Sequence, residues 1–111
     1  MYPRVLLLTG SFLFVGLASH AVYALGEADA QVLMKKSNCF KCHSIDKEKV
    51  GPAFKEIARK YQDKADAEQK LYTHLSTNPK VKIDGKEEQH ESLKTQNEAD
   101  IRSVVRWILA R

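Results

Sequence analysis

A chain of 111 residues, with 18 Lys+Arg against 14 Asp+Glu and a formal net charge of +4, has room for one domain. Its 29% charged residues argue against an integral membrane bundle, and its 43% hydrophobic residues argue against a disordered chain. Two Cys exclude a disulfide-dense scaffold and a four-Cys zinc site.

Residues 1–24 stand apart from the rest of the chain. Arg4 is the only charge before Glu27, and the apolar stretch from Val5 to Leu17 leads into the small residues around Ala21 and Ala24. A basic start, an apolar core of roughly 7 to 15 residues and a small residue at the exit describe a secretory signal peptide. The expected cut follows Ala24, with Ala21 as the alternative. An uncleaved anchor is the competing reading, but the stretch is shorter than the ~20 residues that a spanning helix needs. The remaining domain, residues 25–111, is small enough to be marginally stable alone, so a bound cofactor would complete its core.

The pattern in that domain is helical, with no strand expected. Glu27 to Ser37 places Ala30, Leu33, Met34 and Ser37 on one face, with acidic residues at its start and basic ones at its end. Gly51-Pro52 punctuates the chain, and Pro52 suits the first turn of a helix presenting Phe54, Ile57, Ala58 and Tyr61. Asp66 is placed to cap a third helix over Ala67 to Ser76, with Leu71, Tyr72 and Leu75 inward and Asn78-Pro79 as its stop. Thr77 to Lys94 is polar, with a turn at Asp84-Gly85, and a loop that long in a compact domain is functional or mobile. Thr95 and Glu98 have capping-box spacing ahead of a stripe of Ile101, Val104, Val105, Ile108 and Leu109.

The chemistry lies in Cys39-Phe40-Lys41-Cys42-His43. Cys-x-x-Cys-His is the attachment signal for c-type haem. Two thiols on one helical turn reach the two vinyl groups along one porphyrin edge, and the adjacent His43 then lies under the iron as proximal ligand. A thioredoxin-like dithiol would need a preceding strand, and the pattern offers none. A zinc site would need a second close Cys/His pair, whereas His74 and His90 are well separated in sequence.

With these elements, the domain resembles a class I cytochrome c of the small bacterial monohaem kind. The resemblance spans nearly all of residues 27–111. It rests on the helix before Cys39, the attachment motif, the Val50-Gly51-Pro52 turn, Ile57-Ala58-x-x-Tyr61, and the terminal Val105-Arg106-Trp107-Ile108-Leu109. It implies an all-α cytochrome c fold of about four helices wrapped around one covalent haem, with the first and last helices crossing. It also implies that Pro52 orients His43 through its carbonyl, and that Phe54, Tyr61 and Trp107 belong to the haem pocket. Tyr72 is a further pocket candidate.

One feature departs from the resemblance. Its members complete the iron with a Met from the loop before the last helix, yet the only Met residues here are Met1 and Met34. Met34 reads as core on the first helix. The family's usual spacing back from Trp107 lands on Glu91, and that from Thr95 lands on Gln89. His90 stands between them and is the best iron ligand on the loop, so bis-histidine ligation by His43 and His90 is expected. His74 is the other candidate, and its plainer reading is an exposed helix histidine. Neighbouring carboxylates should make His90 hold a proton more readily. Exchange of Met for His also removes a ligand that raises the potential, so the expected potential is comparatively low.

The function expected is one-electron transfer, not catalysis, in the periplasm with a redox partner protein or enzyme subunit. Lys41, Lys47, Lys49, Lys55, Arg59 and Lys60 would steer an acidic partner toward the haem edge. The competing reading is a haem sensor or small-ligand-binding cytochrome, weakly enzymatic, with a labile or open sixth position. Nothing in the sequence points to nucleic acid.

Overall fold

The computed structural model describes residues 24–111; the leader expected over residues 1–24 falls almost wholly outside them. The elements in chain order are α1 (Glu27–Lys36), α2 (Cys39–Cys42), α3 (Phe54–Tyr61), α4 (Ala67–Ser76), β1 (Lys80–Ile83), β2 (Lys86–Gln89) and α5 (Glu98–Leu109). The four helices expected from periodicity are present, and α2 is the single turn that carries the two cysteines.

α1 and α4 end the same way. In each, an Asn in the left-handed region follows the last turn, Asn38 at φ 62° and Asn78 at φ 46°. A left-handed residue just past the helix lets the chain reverse while the last carbonyls find donors. At α1 those donors are the amides of Ser37, to Leu33 O at 3.0 Å, and of Asn38, to Lys35 O at 3.1 Å. The reversal at Asn38 turns the chain directly into α2, so the end of α1 aims the cysteine-bearing turn.

α5 is the organising helix and packs against α1, α3 and α4. Val104 and Val105 are fully buried against Met34 of α1, joined by Ala30, Ile101, Trp107, Ile108, Phe54, Leu71, Leu75 and Leu93. Met34 is thus core, as its position on the apolar stripe of α1 requires. The two ends of the described chain are clasped: Arg111 donates to Glu27 at 2.7 Å and lies 4.2 Å over the Trp107 ring.

Three local expectations need correction. The cap of α5 is Asn97, whose side chain accepts from the amides of Ala99 at 2.9 Å and Asp100 at 3.3 Å. Thr95 instead accepts from Asn97 N at 3.1 Å, one step upstream, so the capping box does not form. Truncating Asn97 to Ala should therefore cost about 1 kcal/mol in a chemical-denaturation experiment, whereas Thr95→Ala should cost less. At α4, Asp66 occupies the cap position without a side-chain cap and pairs with Lys70 at 3.0 Å. At α3, Ala53 is the cap and Pro52 lies just before it.

The segment before α5 is also more ordered than a polar loop. β1 and β2 pair antiparallel, Lys80 with Gln89 through Ile83 with Lys86. The two residues between them, Asp84 at φ 49° and Gly85 at φ 78°, both take positive φ, as the tight turn that matches strand twist requires. Val81 and Ile83 are half-buried while Lys80 and Lys82 are exposed. Lys-Val-Lys-Ile alternates β-branched and polar residues as a strand does, whereas Lys-Glu-Glu-Gln has weak strand propensity, and the turn supplies the order that the second strand's composition hides. The fold remains helical, with this ribbon added.

Candidate haem site

His43 is the best-determined side chain of the site. Its amide closes the α2 turn on Cys39 O at 3.0 Å, and its Nδ1 lies 2.6 Å from Pro52 O. A carbonyl can only accept, so Nδ1 carries the proton and Nε2 is left with its lone pair. The loop that brings Pro52 back is pinned by Gly51 N to Cys42 O at 2.8 Å, Phe54 N to Ser44 O at 2.9 Å and Lys55 N to Ile45 O at 3.1 Å. Gly51 lies flat against the ring. A Cβ there would stand 2.6 Å from His43 Cε1 and 2.9 Å from Nδ1.

Cys39 and Cys42 are free thiols on the one turn of α2. Burial pushes the Cys39 thiol up to about 11, with Glu91 and Cys42 adding smaller upward contributions against a lowering by the Cys39 backbone. The thiol is therefore protonated near neutrality and a weak nucleophile.

On the opposite side stands His90. β2 ends one residue earlier, and the His90 amide donates to Pro79 O at 2.8 Å, fixing where the chain leaves the ribbon. The rings of His43 and His90 are 6.1 Å apart, centroid to centroid. Two imidazoles each about 2.0 Å from one metal ion stand about 6 Å apart in the same measure. His90 Nδ1 is buried without a hydrogen-bond partner among the described residues. Two thiols on one turn, a His with its tautomer fixed and a second imidazole at ligating distance fit a covalently held haem. Glu91 and Gln89 are exposed, and Glu91 reaches Asn38 Nδ2 at 3.5 Å.

His74 is not the exposed helix histidine that its polar neighbours imply. It is half-buried and meets His90 edge to face, with centroids 4.5 Å apart. Nor does His90 hold a proton more readily. Burial depresses it, His43 adds to that, and the opposing effect of the Glu91 backbone and carboxylate is smaller. Burial depresses His74 as well, followed by His90 and His43. His74 thus ionises below its ordinary value of 6.5, so the unfolded chain takes up that proton first as pH falls. This contribution to stability is full above pH ~6.5 and is lost as pH drops through the depressed value. The melting temperature should fall between pH 7.5 and 5, and by less in His74→Gln.

Behind His43 lies an aromatic cluster. Phe54 is 5.2 Å from the His43 ring, and Trp107 meets Phe54 at 5.4 Å and Phe40 at 6.4 Å, edge to face. Trp107 Nε1 is buried without a partner among the described residues. Tyr61 is half-buried, with Lys64 5.0 Å over its ring. Tyr72 lies under Arg102 at 4.5 Å and lines a cavity of about 720 Å³ with Ser76, Leu93 and Thr95, on the α4–α5 side. Of the expected basic residues, Lys49 donates to Phe40 O at 2.9 Å, Lys55 pairs with Asp46 and Arg59 pairs with Glu56 at 2.7 Å. Sequence reasoning missed the stacking role of Gly51 and the place of His74. The Gly-Pro step hinted at the first, and the helical spacing from Leu71 gave only a weak hint of the second.

The Cytochrome c family model matches residues 27–111. Cytochrome c-552 of Nitrosomonas europaea is 53% identical over 47 residues, 42% of this chain and 43% of that protein. Cytochrome c-551 of Allochromatium vinosum is 37% identical over 82 residues, 70% of this chain and 81% of that protein. The first of these is thus matched over less than half its length. Among solved structures, the class 1 cytochrome MtoD from Sideroxydans lithotrophicus is similar with a TM-score of 0.72 and 47% identity, covering 78% of this chain and 97% of that one. The family match, the fold and the donor set converge: the chain belongs to the cytochrome c family, as a small class I member with one covalently attached haem c.

Proposed function

We propose that the protein is a periplasmic one-electron carrier whose haem is joined to Cys39 and Cys42 and ligated by His43 and His90. The observation that carries this reading is the 6.1 Å between the two imidazoles. Bound haem supplies a one-electron iron couple; the chain decides what that couple can do. Pro52 O keeps the proton on Nδ1 of His43, which leaves Nε2 for the metal and makes it the more basic donor. His90, facing His43, would hold the iron as its second imidazole and leave no position for a substrate or gas, so that the chain would carry charge instead of making bonds. A second imidazole in place of a thioether favours the ferric state, which implies a comparatively low potential.

Val50, 49% exposed, adjoins the attachment loop with exposed Lys41, Lys47 and Lys49 nearby. Asp46 and Glu48 are exposed in the same segment, so the lysines exceed the carboxylates here only by Lys41, and an apolar spot with this mixed, slightly positive rim suits a polar redox docking face. No helix among the described residues is long and apolar enough to cross a membrane; a carrier released by cleavage after Ala24 fits that.

The test is the ligand sphere of the purified holoprotein. Ferric electron paramagnetic resonance should show low-spin bis-imidazole iron, and the ferrous protein at neutral pH should refuse carbon monoxide. High-spin iron with rapid carbon monoxide binding would reject His90 as a ligand and favour a sensor or ligand-binding role.

A further inference from the structure

His74 is the one imidazole of the site that the proposed ligand set leaves without a role. It projects from the last turn of α4, a helix held by its own packing on α5. Its ring meets that of His90 at an interplanar angle of 64° with centroids 4.5 Å apart, the close end of the range for edge-to-face pairs. The loop bearing His90 leans on the same helix end, through His90 N to Pro79 O at 2.8 Å and Leu93 N to Leu75 O at 3.0 Å. His90 Nδ1 is buried and has no partner among the described residues. Its neighbour Glu91 is exposed and turned toward Asn38.

The proximal side is held quite differently. His43 has a ring plane fixed by Gly51 and Phe54 and a polar partner in Pro52 O. Among the described residues, no residue of the loop bearing His90 stacks on its ring in the way Gly51 and Phe54 hold His43. A metal-bound imidazole whose outer nitrogen lacks a partner is free to rotate about the metal–nitrogen bond and is the weaker ligand.

We infer that His74 is the positioning residue for His90: its ring, edge to face with that of His90, sets the plane of the distal imidazole. The inference rests on His90 as distal ligand. His74 acts through that ring by packing, so a substitution that keeps a flat ring is separable from one that removes it.

The experiment uses the holoprotein as wild type, His74→Leu and His74→Phe, each first shown by far-ultraviolet circular dichroism to be folded. Leu is a good helix former that removes the flat ring, and Phe retains one. His74→Leu should move the highest g value of the ferric low-spin signal, which reports the angle between the imidazole planes. It should also speed carbon monoxide binding to the ferrous protein by roughly 10- to 100-fold, the range typical for loss of a group that orients a metal ligand. His74→Phe should keep both readouts near wild type. A His74→Leu protein matching wild type in both readouts would overturn the inference, and so would a His74→Phe protein displaced as far as His74→Leu. Failure of the underlying ligand assignment is visible beforehand, because wild type would itself lack the bis-imidazole signal.

Discussion

Replacing His90 with Met will raise the reduction potential by on the order of 100 mV, within the ~0.8 V range over which axial ligands set haem potentials. A thioether is a weaker electron donor than imidazole and stabilises ferrous iron relative to ferric. For one electron, about 59 mV is a tenfold change in equilibrium constant, so the shift amounts to about 2 kcal/mol. The substitution does not touch what places the side chain, since the His90 amide, not its ring, holds the chain to Pro79 O at 2.8 Å. A potentiometric titration of both holoproteins measures the shift, and the variant should gain the far-red absorption band of sulfur-ligated ferric iron. An unchanged potential would mean that residue 90 does not reach the metal.

Gly51→Ala will weaken the proximal side just as plainly. The added methyl would lie 2.6 Å from Cε1, 2.9 Å from Nδ1 and 3.1 Å from Nε2 of His43, closer than side-chain carbons approach one another. The ring cannot slide away, because its Nδ1 is held by Pro52 O and Phe54 stands 5.2 Å from it. The loop must move instead, which breaks Gly51 N to Cys42 O, or the ring must tilt off the metal. Overpacking of this kind costs roughly 1–3 kcal/mol. In a domain this small each kcal/mol shifts the melting temperature by about 4–8 °C. Thermal unfolding of the holoprotein should therefore begin at distinctly lower temperature, with a proximal bond that yields earlier in acid. A melting curve superposable on wild type would show that the loop accommodates the methyl freely.

Some of this molecule is legible without coordinates because single local signals suffice. The α5 stripe from Ile101 to Ile108 is buried as its spacing requires, and Cys39 and Cys42 share one turn of α2 with His43 directly after it, as the attachment motif leads one to expect. Signals that face a competitor mislead. Thr95 and Asn97 both have side chains able to cap, and the sequence motif favours Thr95; Asn97 captures two amides where Thr95 reaches one. Val81 and Ile83 alternate with lysines ahead of Asp84-Gly85, which is a hairpin signal, but Lys86–Gln89 lacks the β-branched and aromatic residues that mark a second strand, so the ribbon is hidden in that half. Glu87, Glu88 and Glu91 lie beside His90 in sequence and suggest a firmly held proton, but desolvation outweighs them. His74 could not be located because its environment comes from a segment 16 positions away, beyond the reach of helical periodicity.

The ribbon also ties the proposed distal ligand to a strap of fixed length. β2 ends at Gln89 and the His90 amide donates to Pro79 O at 2.8 Å, so the paired strands return the chain to the point where it left α4. The register from Lys80–Gln89 to Ile83–Lys86 is closed by the Asp84-Gly85 turn. That corner, without any chemistry of its own, thereby sets where along the chain the second imidazole emerges beside the first.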